Sequence, residues 1–343
     1  MIALETILYP PTINYYLSYQ RPQQLFKALN KIGYRIIFCN YNPEERTGYL
    51  KEIFQDFFVC SKINPYKISK LDKMPILWIT YPPFASYLEQ YPNKLLVFDA
   101  IDETSDEFES WQSGLDILRR KSDIIFASSK KLYNDNKLYK DNVFLCQNGT
   151  DYEYFSKAAE IFSEKPFDMP RNNNIIVGYY GAIATWINWA FVYNTAACNP
   201  DIDFIFIGSL FNMSRFPVRL PNVYYLGKKP YDKLINYLQY FDICFIPFKV
   251  TSMTNGCNPI KMYEYLSAGK IVIATDFAEA AGCEFINTIK SREYVMFGRI
   301  VKKLIDENNE DIKIKRKEFA KNNSWDERAK IVDEAIKKYL NKM

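Results

Sequence analysis

Asn258-Pro259-Ile260-Lys261-Met262-Tyr263-Glu264-Tyr265-Leu266-Ser267-Ala268-Gly269-Lys270 lies between two apolar runs, Ile243-Cys244-Phe245-Ile246 and Ile271-Val272-Ile273-Ala274. Short runs of this kind read as buried parallel strands, so the segment joining them reads as a crossover helix. A helix starting near Pro259 with Asn258 as its N-cap turns backbone N–H groups and a positive dipole end outward around Asn258, Pro259 and Ile260, which suits a phosphate. Lys261 and Glu264 stand at i and i+3 and share a helix face. There the ammonium can neutralise a diphosphate, and the carboxylate can accept hydrogen bonds from ribose hydroxyls. The bland alternative is a surface ion pair on a crossover helix.

Outward from this segment the same alternation continues. Ile175-Ile176-Val177-Gly178-Tyr179-Tyr180, Phe204-Ile205-Phe206-Ile207-Gly208 and Val223-Tyr224-Tyr225-Leu226-Gly227 precede it as further strands. An earlier series holds Thr6-Ile7-Leu8-Tyr9, Arg35-Ile36-Ile37-Phe38-Cys39, Ile76-Leu77-Trp78-Ile79, Leu95-Leu96-Val97-Phe98, Asp123-Ile124-Ile125-Phe126-Ala127 and Val143-Phe144-Leu145. Arg21-Pro22-Gln23-Gln24-Leu25 opens a helix with proline in its first turn, and Gly33 stops it. The polar stretch from Asp151 to Asn174 reads as a linker. The expected organisation is α/β: residues 1–165 as a first domain, 170–324 as a second, and a helical tail over 325–343. Asp201-Ile202-Asp203 reads as a turn ahead of a strand, not as a metal-binding D-x-D.

The chain has 343 residues, long enough for two such domains, and its 48% hydrophobic, 17% aromatic and 24% charged composition is that of a folded protein. It contains no histidine. That excludes Ser-His-Asp and Cys-His nucleophile pairs, His-ligated zinc and a histidine general base. A formal charge of +4 from 44 basic and 40 acidic residues gives no reason to expect nucleic acid. The 7 cysteines form no C-x-x-C pair and read as reduced thiols. Neither a G-x-x-x-x-G-K-[ST] loop nor a G-x-G-x-x-G fingerprint is present. Met1-Ile2-Ala3-Leu4-Glu5 lacks the features of a signal peptide, and no window reaches the ~20 apolar residues of a membrane span. The expected location is the cytoplasm, with at most a peripheral contact at the membrane's cytoplasmic face. The basic stretch Ile312-Lys313-Ile314-Lys315-Arg316-Lys317 is the candidate for that contact and equally a solvated face.

With histidine absent, proton transfer falls to carboxylates. Asp99, Asp102 and Glu103 follow the apolar run ending at Phe98, at the carboxyl end of a strand, where partial burial raises a carboxylate's pKa. Asp99 is the first candidate for a base and Asp102 the second; the alternative is that Asp102 to Asp106 serve the next helix as first-turn acids. Asn14-Tyr15-Tyr16-Leu17-Ser18-Tyr19 followed by Arg21 and Gln23 can cradle a sugar, since tyrosines stack on sugar rings. A solvent-facing loop with Arg21 in a local ion pair is the alternative.

These segments together, with Val97-Phe98-Asp99-Ala100-Ile101-Asp102-Glu103, Gln147-Asn148-Gly149-Thr150-Asp151, Gly178-Tyr179-Tyr180-Gly181-Ala182-Ile183, Pro221-Asn222-Val223-Tyr224-Tyr225-Leu226-Gly227 and Asp242-Ile243-Cys244-Phe245-Ile246-Pro247-Phe248, resemble the GT-B glycosyltransferases. The likeness is to family-four-like bacterial enzymes of the surface-polysaccharide and teichuronic-acid type, and it spans nearly the whole chain. It implies two Rossmann-like domains whose parallel sheets face each other across a cleft, with a C-terminal helix crossing back to the first. It implies transfer of a sugar from a nucleotide-diphosphate sugar, with UDP the commonest carrier, to a saccharide or lipid-linked acceptor. Glu264 then binds the donor ribose, while Asn258 through Lys261 face its diphosphate. Gly181, Ala182 and Ile183 form the loop beneath the phosphates, and Gly208, Ser209, Gly227 and Lys228 line the base. No cofactor and no obligatory metal are expected beyond this donor.

Two departures stand out against that pattern. Gly256 sits where many retaining members carry a first glutamate, and Gly181-Ala182-Ile183-Ala184-Thr185-Trp186 lacks the usual Arg and Lys. Diphosphate charge is then left to Lys261, Lys249 or Arg21. Two rival readings are a nucleotide-sugar 2-epimerase of the same fold, disfavoured by the missing histidine, and a catalytically silent sugar-nucleotide-binding subunit.

Overall fold

The computed structural model describes residues 5–17, 19–68 and 74–342. Residues 1–4 and Ser18, which enter the sequence reading, lie outside that set. The chain divides into two compact units. The first comprises the chain up to Asn148, Gly256–Asn258 and everything from Trp325; the second comprises Gly149–Asn255 and Pro259–Ser324. Each unit is built on its own sheet.

The first unit's strands are β1 (Thr6–Tyr9), β2 (Arg35–Cys39), β3 (Tyr49–Phe54), β4 (Phe57–Ser61), β5 (Ile76–Ile79), β6 (Leu95–Ala100), β7 (Ile124–Ala127) and β8 (Val143–Leu145). They form an 8-stranded sheet in the order β3-β4-β2-β1-β5-β6-β7-β8. All neighbours are parallel except β3 on β4. The parallel strands are buried along nearly their whole length, as sheets covered on both faces require. β3 is the edge, and it exposes Lys51 and Glu52, charges that discourage further strand addition. The strand order reverses between β1 and β5, and in open α/β sheets the carboxyl ends at such a switch point are where ligands bind.

The helix Arg21–Lys31 carries Pro22 in its first turn and buries Leu25, Phe26, Ala28 and Leu29. The tail helix Trp325–Leu340 packs with this unit as the resemblance anticipates, donating and accepting at Lys31 Nζ–Asp326 (2.9 Å), Tyr34 Oη–Asp333 (2.9 Å) and Tyr339 Oη–Asp123 (2.7 Å).

The second unit's strands are β9 (Ile175–Tyr180), β10 (Ile202–Ile207), β11 (Val223–Tyr225), β12 (Ile243–Ile246), β13 (Ile271–Thr275) and β14 (Ile286–Ile289). They form a 6-stranded, all-parallel sheet in the order β11-β10-β9-β12-β13-β14. Its switch point falls between β9 and β12. Asp203 lies inside β10 with Asn174 Nδ2 donating to it at 3.2 Å, so Asp201-Ile202-Asp203 is a turn only at its first residue.

The stretch expected to be a linker is structured at its start and belongs by its contacts to the second unit. Asp151 caps a helical turn over Tyr152–Phe155, Phe155 is fully buried, and Asp168 pairs with Lys229 at 2.6 Å. Polarity and proline make this stretch look like a connection; a few buried side chains are enough to anchor it.

Candidate functional site

In the second unit the carboxyl ends of β9 and β12 bring Tyr179, Tyr180, Gly181 and Phe248 to the switch point. The helix Ile260–Ser267 starts beside them. Lys261, on the first turn, lays its ammonium 4.7 Å from the Tyr179 ring centroid and 5.0 Å from that of Phe248, and donates to Tyr179 Oη at 3.3 Å. Two aromatic faces thus hold a cation at the end of the sheet. Gly181 makes the space: at φ +137, a Cβ there would lie 2.8 Å from Lys261 Cε and Nζ. Gly208, at φ +154, does the same for the backbone, because a Cβ would fall 1.7 Å from Gly181 O. Two strand ends can approach this closely only if both residues lack a side chain.

The loop beyond Gly181 is tied down by backbone bonds. Gly181 N donates to Ile207 O (2.9 Å), Ile183 N to Ser209 O (2.9 Å), Gly208 N to Gly227 O (2.9 Å), and Tyr179 Oη to Ala182 O (2.9 Å). Ile183 is fully buried, so it shapes the loop from beneath. Ser209, Lys228 and Lys249 are exposed. Lys249 is held at its backbone, its N–H donating to Trp186 O at 2.8 Å.

Glu264, one turn along from Lys261, is buried. Tyr231 Oη donates to its Oε1 at 3.5 Å, and Tyr180 closes over it from β9. Burial pushes its pKa up to about 7, against the pull of the Tyr180 hydroxyl, the Lys261 ammonium and Tyr231. The Tyr231 ring is stacked on Tyr154 (5.8 Å, 20°) and set edge-on to Phe155 (5.6 Å, 85°). A buried carboxylate beside tyrosine hydroxyls, one turn from a cation, can accept hydrogen bonds from ligand hydroxyls.

Asn258 does not cap this helix. The N-cap is Pro259, in extended conformation and with no side-chain cap. Asn258 belongs to the first unit, where its Oδ1 accepts from Asn148 N (2.9 Å) and its carbonyl accepts from Asn148 Nδ2 (2.5 Å). The helix start at Ile260 therefore has no side-chain oxygen capping it. Gly256 is small for a related reason: a Cβ there would lie 2.6 Å from Glu103 Cβ.

In the first unit Asp99, at the end of β6, is fully buried and occupied. Arg21 Nε reaches both carboxylate oxygens (2.9 and 3.1 Å), its NH2 group reaches Oδ1 (2.8 Å), and Trp78 Nε1 donates to Oδ2 (3.3 Å). Arg21 also donates to Gln147 O and Asn148 Oδ1, and its guanidinium lies 6.0 Å from the Trp325 ring. Arg328 Nε adds a bond to Asn148 O at 3.1 Å. This corrects two expectations: Asp99 has no lone pair turned to a substrate, and Arg21 is not an acceptor ligand but its buried counterion. Gln23 is likewise consumed, its Oε1 accepting from Gln20 N at 3.2 Å to cap the helix. Glu103 is ion-paired with Lys131. Asp102 lies just past the strand and is partly exposed; burial and the charge of Asp99 raise its pKa to about 6. Tyr15 packs on Phe38 and Phe57, while Tyr16 is 53% exposed at the loop surface.

Sequence reading overlooks Tyr179, Tyr180, Tyr231 and Phe248 as site residues. Tyr179 and Tyr180 are signalled by their place immediately before Gly181 at a strand end; Tyr231 has no local signal.

With this geometry in view, the fold is that of the GT-B glycosyltransferases: two parallel α/β sheets in separate units, with the tail helix returning to the first. Sucrose-phosphate synthase from Thermosynechococcus elongatus aligns with a TM-score of 0.74 at 12% identity, over 99% of this chain and 100% of that one. α,α-Trehalose-6-phosphate synthase from Burkholderia multivorans aligns at 0.71 and 9% identity, over 99% of each chain. Anabaena HepE, in complex with UDP and glucose, aligns at 0.65 and 14% identity, over 97% of this chain and 99% of that one. Among characterised sequences, the chain resembles the putative teichuronic acid biosynthesis glycosyltransferase TuaH of Bacillus subtilis (strain 168), with 23% identity over 301 residues, covering 79% of this chain and 75% of the relative. No protein-family profile matches the chain.

Proposed function

We propose that the protein is a glycosyltransferase that takes its sugar from a UDP-sugar, held on the second unit, and passes it to a saccharide or lipid-linked acceptor of a surface glycan, a hexosyl transfer. The observation that carries this reading is the pairing of buried Glu264 with aromatic-cradled Lys261 at the switch point of the second sheet. Glu264 accepts hydrogen bonds from the ribose diol. Lys261, with the backbone N–H groups of Ala182 and the helix start at Ile260, meets the diphosphate, without a metal being needed to offset the leaving charge. Gly208, Ser209 and Lys228 border the base, and Lys249 lies near the phosphates. Asp102 takes the acceptor proton, and Tyr16 with Tyr15 offers the sugar-stacking surface. The UDP and glucose of the HepE complex and the teichuronic-acid relative support donor class and acceptor class respectively. We place the protein at the cytoplasmic face of the membrane, where a lipid-linked acceptor is reached; among the described residues no helix is long and apolar enough to cross one.

The test is release of nucleoside diphosphate from a panel of nucleotide sugars with oligosaccharide and lipid-linked acceptors, using Glu264→Ala as the control. UDP release that needs acceptor and disappears in Glu264→Ala is the expected result. No release from any donor rejects the enzyme, and UDP binding without turnover identifies a silent nucleotide-sugar subunit, a reading that the cation-free Gly181-to-Trp186 loop favours. UDP released with a rearranged sugar and no acceptor identifies an epimerase. With Asp102 as base, activity rises as pH passes through about 6, and Asp102→Asn lowers kcat while leaving UDP-glucose affinity within about twofold.

A further inference from the structure

Glu264 is a buried acid acted on by the Tyr180 and Tyr231 hydroxyls and by the Lys261 ammonium. Each element packed around it contributes something. Tyr180 comes from β9, Tyr231 from the turn over Tyr231–Lys233, and Lys261 and Tyr265 from its own helix; Asp151 and Tyr154 come from the start of the Tyr152–Phe155 turn. The strand behind the helix, β13, has no titratable side chain, and the helix Glu310–Asn322 meets this one through Phe319 on Tyr263 and through Lys313 and Lys317 at Gly269, away from the carboxylate. Of these partners Tyr231 comes from a short turn outside the sheet, and its neighbours hold it in place. Its ring is stacked on Tyr154 and met edge-on by Phe155, and Tyr154 Oη donates to its carbonyl at 3.2 Å. A hydroxyl on a ring fixed in this way can point in few directions, and one of them is Glu264 Oε1 at 3.5 Å.

We propose that Tyr231 is a positioning residue for donor binding: braced by Tyr154 and Phe155, it aims the Glu264 carboxylate at the two hydroxyls of a nucleotide ribose. The inference rests on the donor reading above and adds a pH dependence to it. A carboxylate that accepts from a ribose diol does so when ionised, so nucleotide-sugar affinity climbs as Glu264 loses its proton and levels off once it is fully charged. The Tyr231 hydroxyl, by donating to the carboxylate, lowers the pH at which that happens.

The experiment is calorimetric titration of the intact protein with UDP-glucose from pH 5.5 to 9. UDP-glucose is chosen because its diphosphate diester keeps the same charge across that range. For the unaltered chain, affinity is expected to rise to a plateau through a midpoint near neutrality. Tyr231→Phe keeps the ring and its stacking; its midpoint moves upward by about half a pH unit, so that binding weakens ~3-fold at pH 5.5 and ~2-fold at pH 7, and matches the unaltered chain at pH 9. Tyr154→Leu, which removes the brace and leaves the hydroxyl, shifts the midpoint the same way by less, and it serves if Tyr231→Phe does not fold. An unshifted midpoint in Tyr231→Phe, or a loss that is equal at every pH, overturns the positioning role. Failure of the donor reading looks different: the unaltered chain does not bind UDP-glucose at any pH, or Glu264→Gln binds it as well as the unaltered chain does.

Discussion

Each unit buries a carboxylate near the carboxyl ends of its sheet, and the two are treated in opposite ways. Asp99 meets a fixed charge: Arg21 forks onto both oxygens, and Trp78 fills a remaining position. Glu264 meets tyrosines, with Lys261 one turn away and turned toward Tyr179 and Phe248. Permanent pairing makes Asp99 a structural post that ties Arg21 to Asn148 and so to the chain around Asn258. Two tyrosine hydroxyls and a lysine one turn away leave Glu264 with its desolvation cost only partly offset, and a ligand that brings its own donors relieves it. Two buried acids, one in a strand and one on a helix beside a sheet's carboxyl ends, are thus told apart by what surrounds them, not by depth.

The largest expected effect breaks the first of these arrangements. Arg21→Ala strands the Asp99 charge in the interior and should lower unfolding free energy by about 3–5 kcal/mol, seen as a clear drop in denaturation midpoint. Asp99→Asn should also melt early; if it melts like the unaltered chain but loses transfer activity, Asp99 is the base after all. The next effect belongs to Glu264. Its folded pKa, raised from 4.5 to about 7, means that the native state holds the proton more tightly than the unfolded chain. Stability conferred by the neutral form is therefore full below pH 4.5, and is lost as pH rises to about 7. Across that window the loss amounts to at most about 3 kcal/mol. Glu264→Gln should flatten this pH dependence in thermal melts, and a slope that persists in the variant would assign it to another group.

Gly181→Ala is smaller but sharper. It places a methyl group against Lys261 at an unfavourable φ, costing about 1–2 kcal/mol and weakening UDP-glucose binding ~10-fold by displacing the ammonium. Normal affinity in a folded Gly181→Ala variant would take Lys261 out of the donor site. Smallest is Tyr16→Ala at an exposed loop, which should leave stability within about 0.5 kcal/mol and raise only the acceptor KM.

Much of the architecture is readable because parallel strands buried on both faces announce themselves as unbroken apolar runs, as in Ile36-Ile37-Phe38 of β2 and Ile271-Val272-Ile273-Ala274 of β13. Of the strands that escape, β3 and β14 lack such runs, whereas β4 has one in Phe57-Phe58-Val59-Cys60 and escapes all the same. β3 is an exposed edge with Lys51 and Glu52 in its middle, β4 is its hairpin partner across Gln55 and Asp56, and β14 places Asn287 and Thr288 between two isoleucines. Lys261 and Glu264 are legible because helix geometry alone puts i and i+3 on one face. The Arg21–Asp99 pair is not, since its partners stand 78 residues apart. Asn258 reads as a cap because Asn before Pro satisfies every local criterion for one, while its actual partner, Asn148, lies 110 residues away.

The sequence by itself settled that this is a two-sheet α/β protein without histidine chemistry, and that one crossover helix carries a cation and a carboxylate on the same face. Periodicity and composition are local properties, so a linear reading captures them. Only the tertiary structure decided which acids are available. Asp99 and Arg21 each looked like a reactive group, and they cancel one another once folding brings them together. Glu264 keeps its potential because the strands and turns around it deliver hydroxyls and a single lysine. Electrostatic pairing depends on distance in space, and that distance is set by the whole chain.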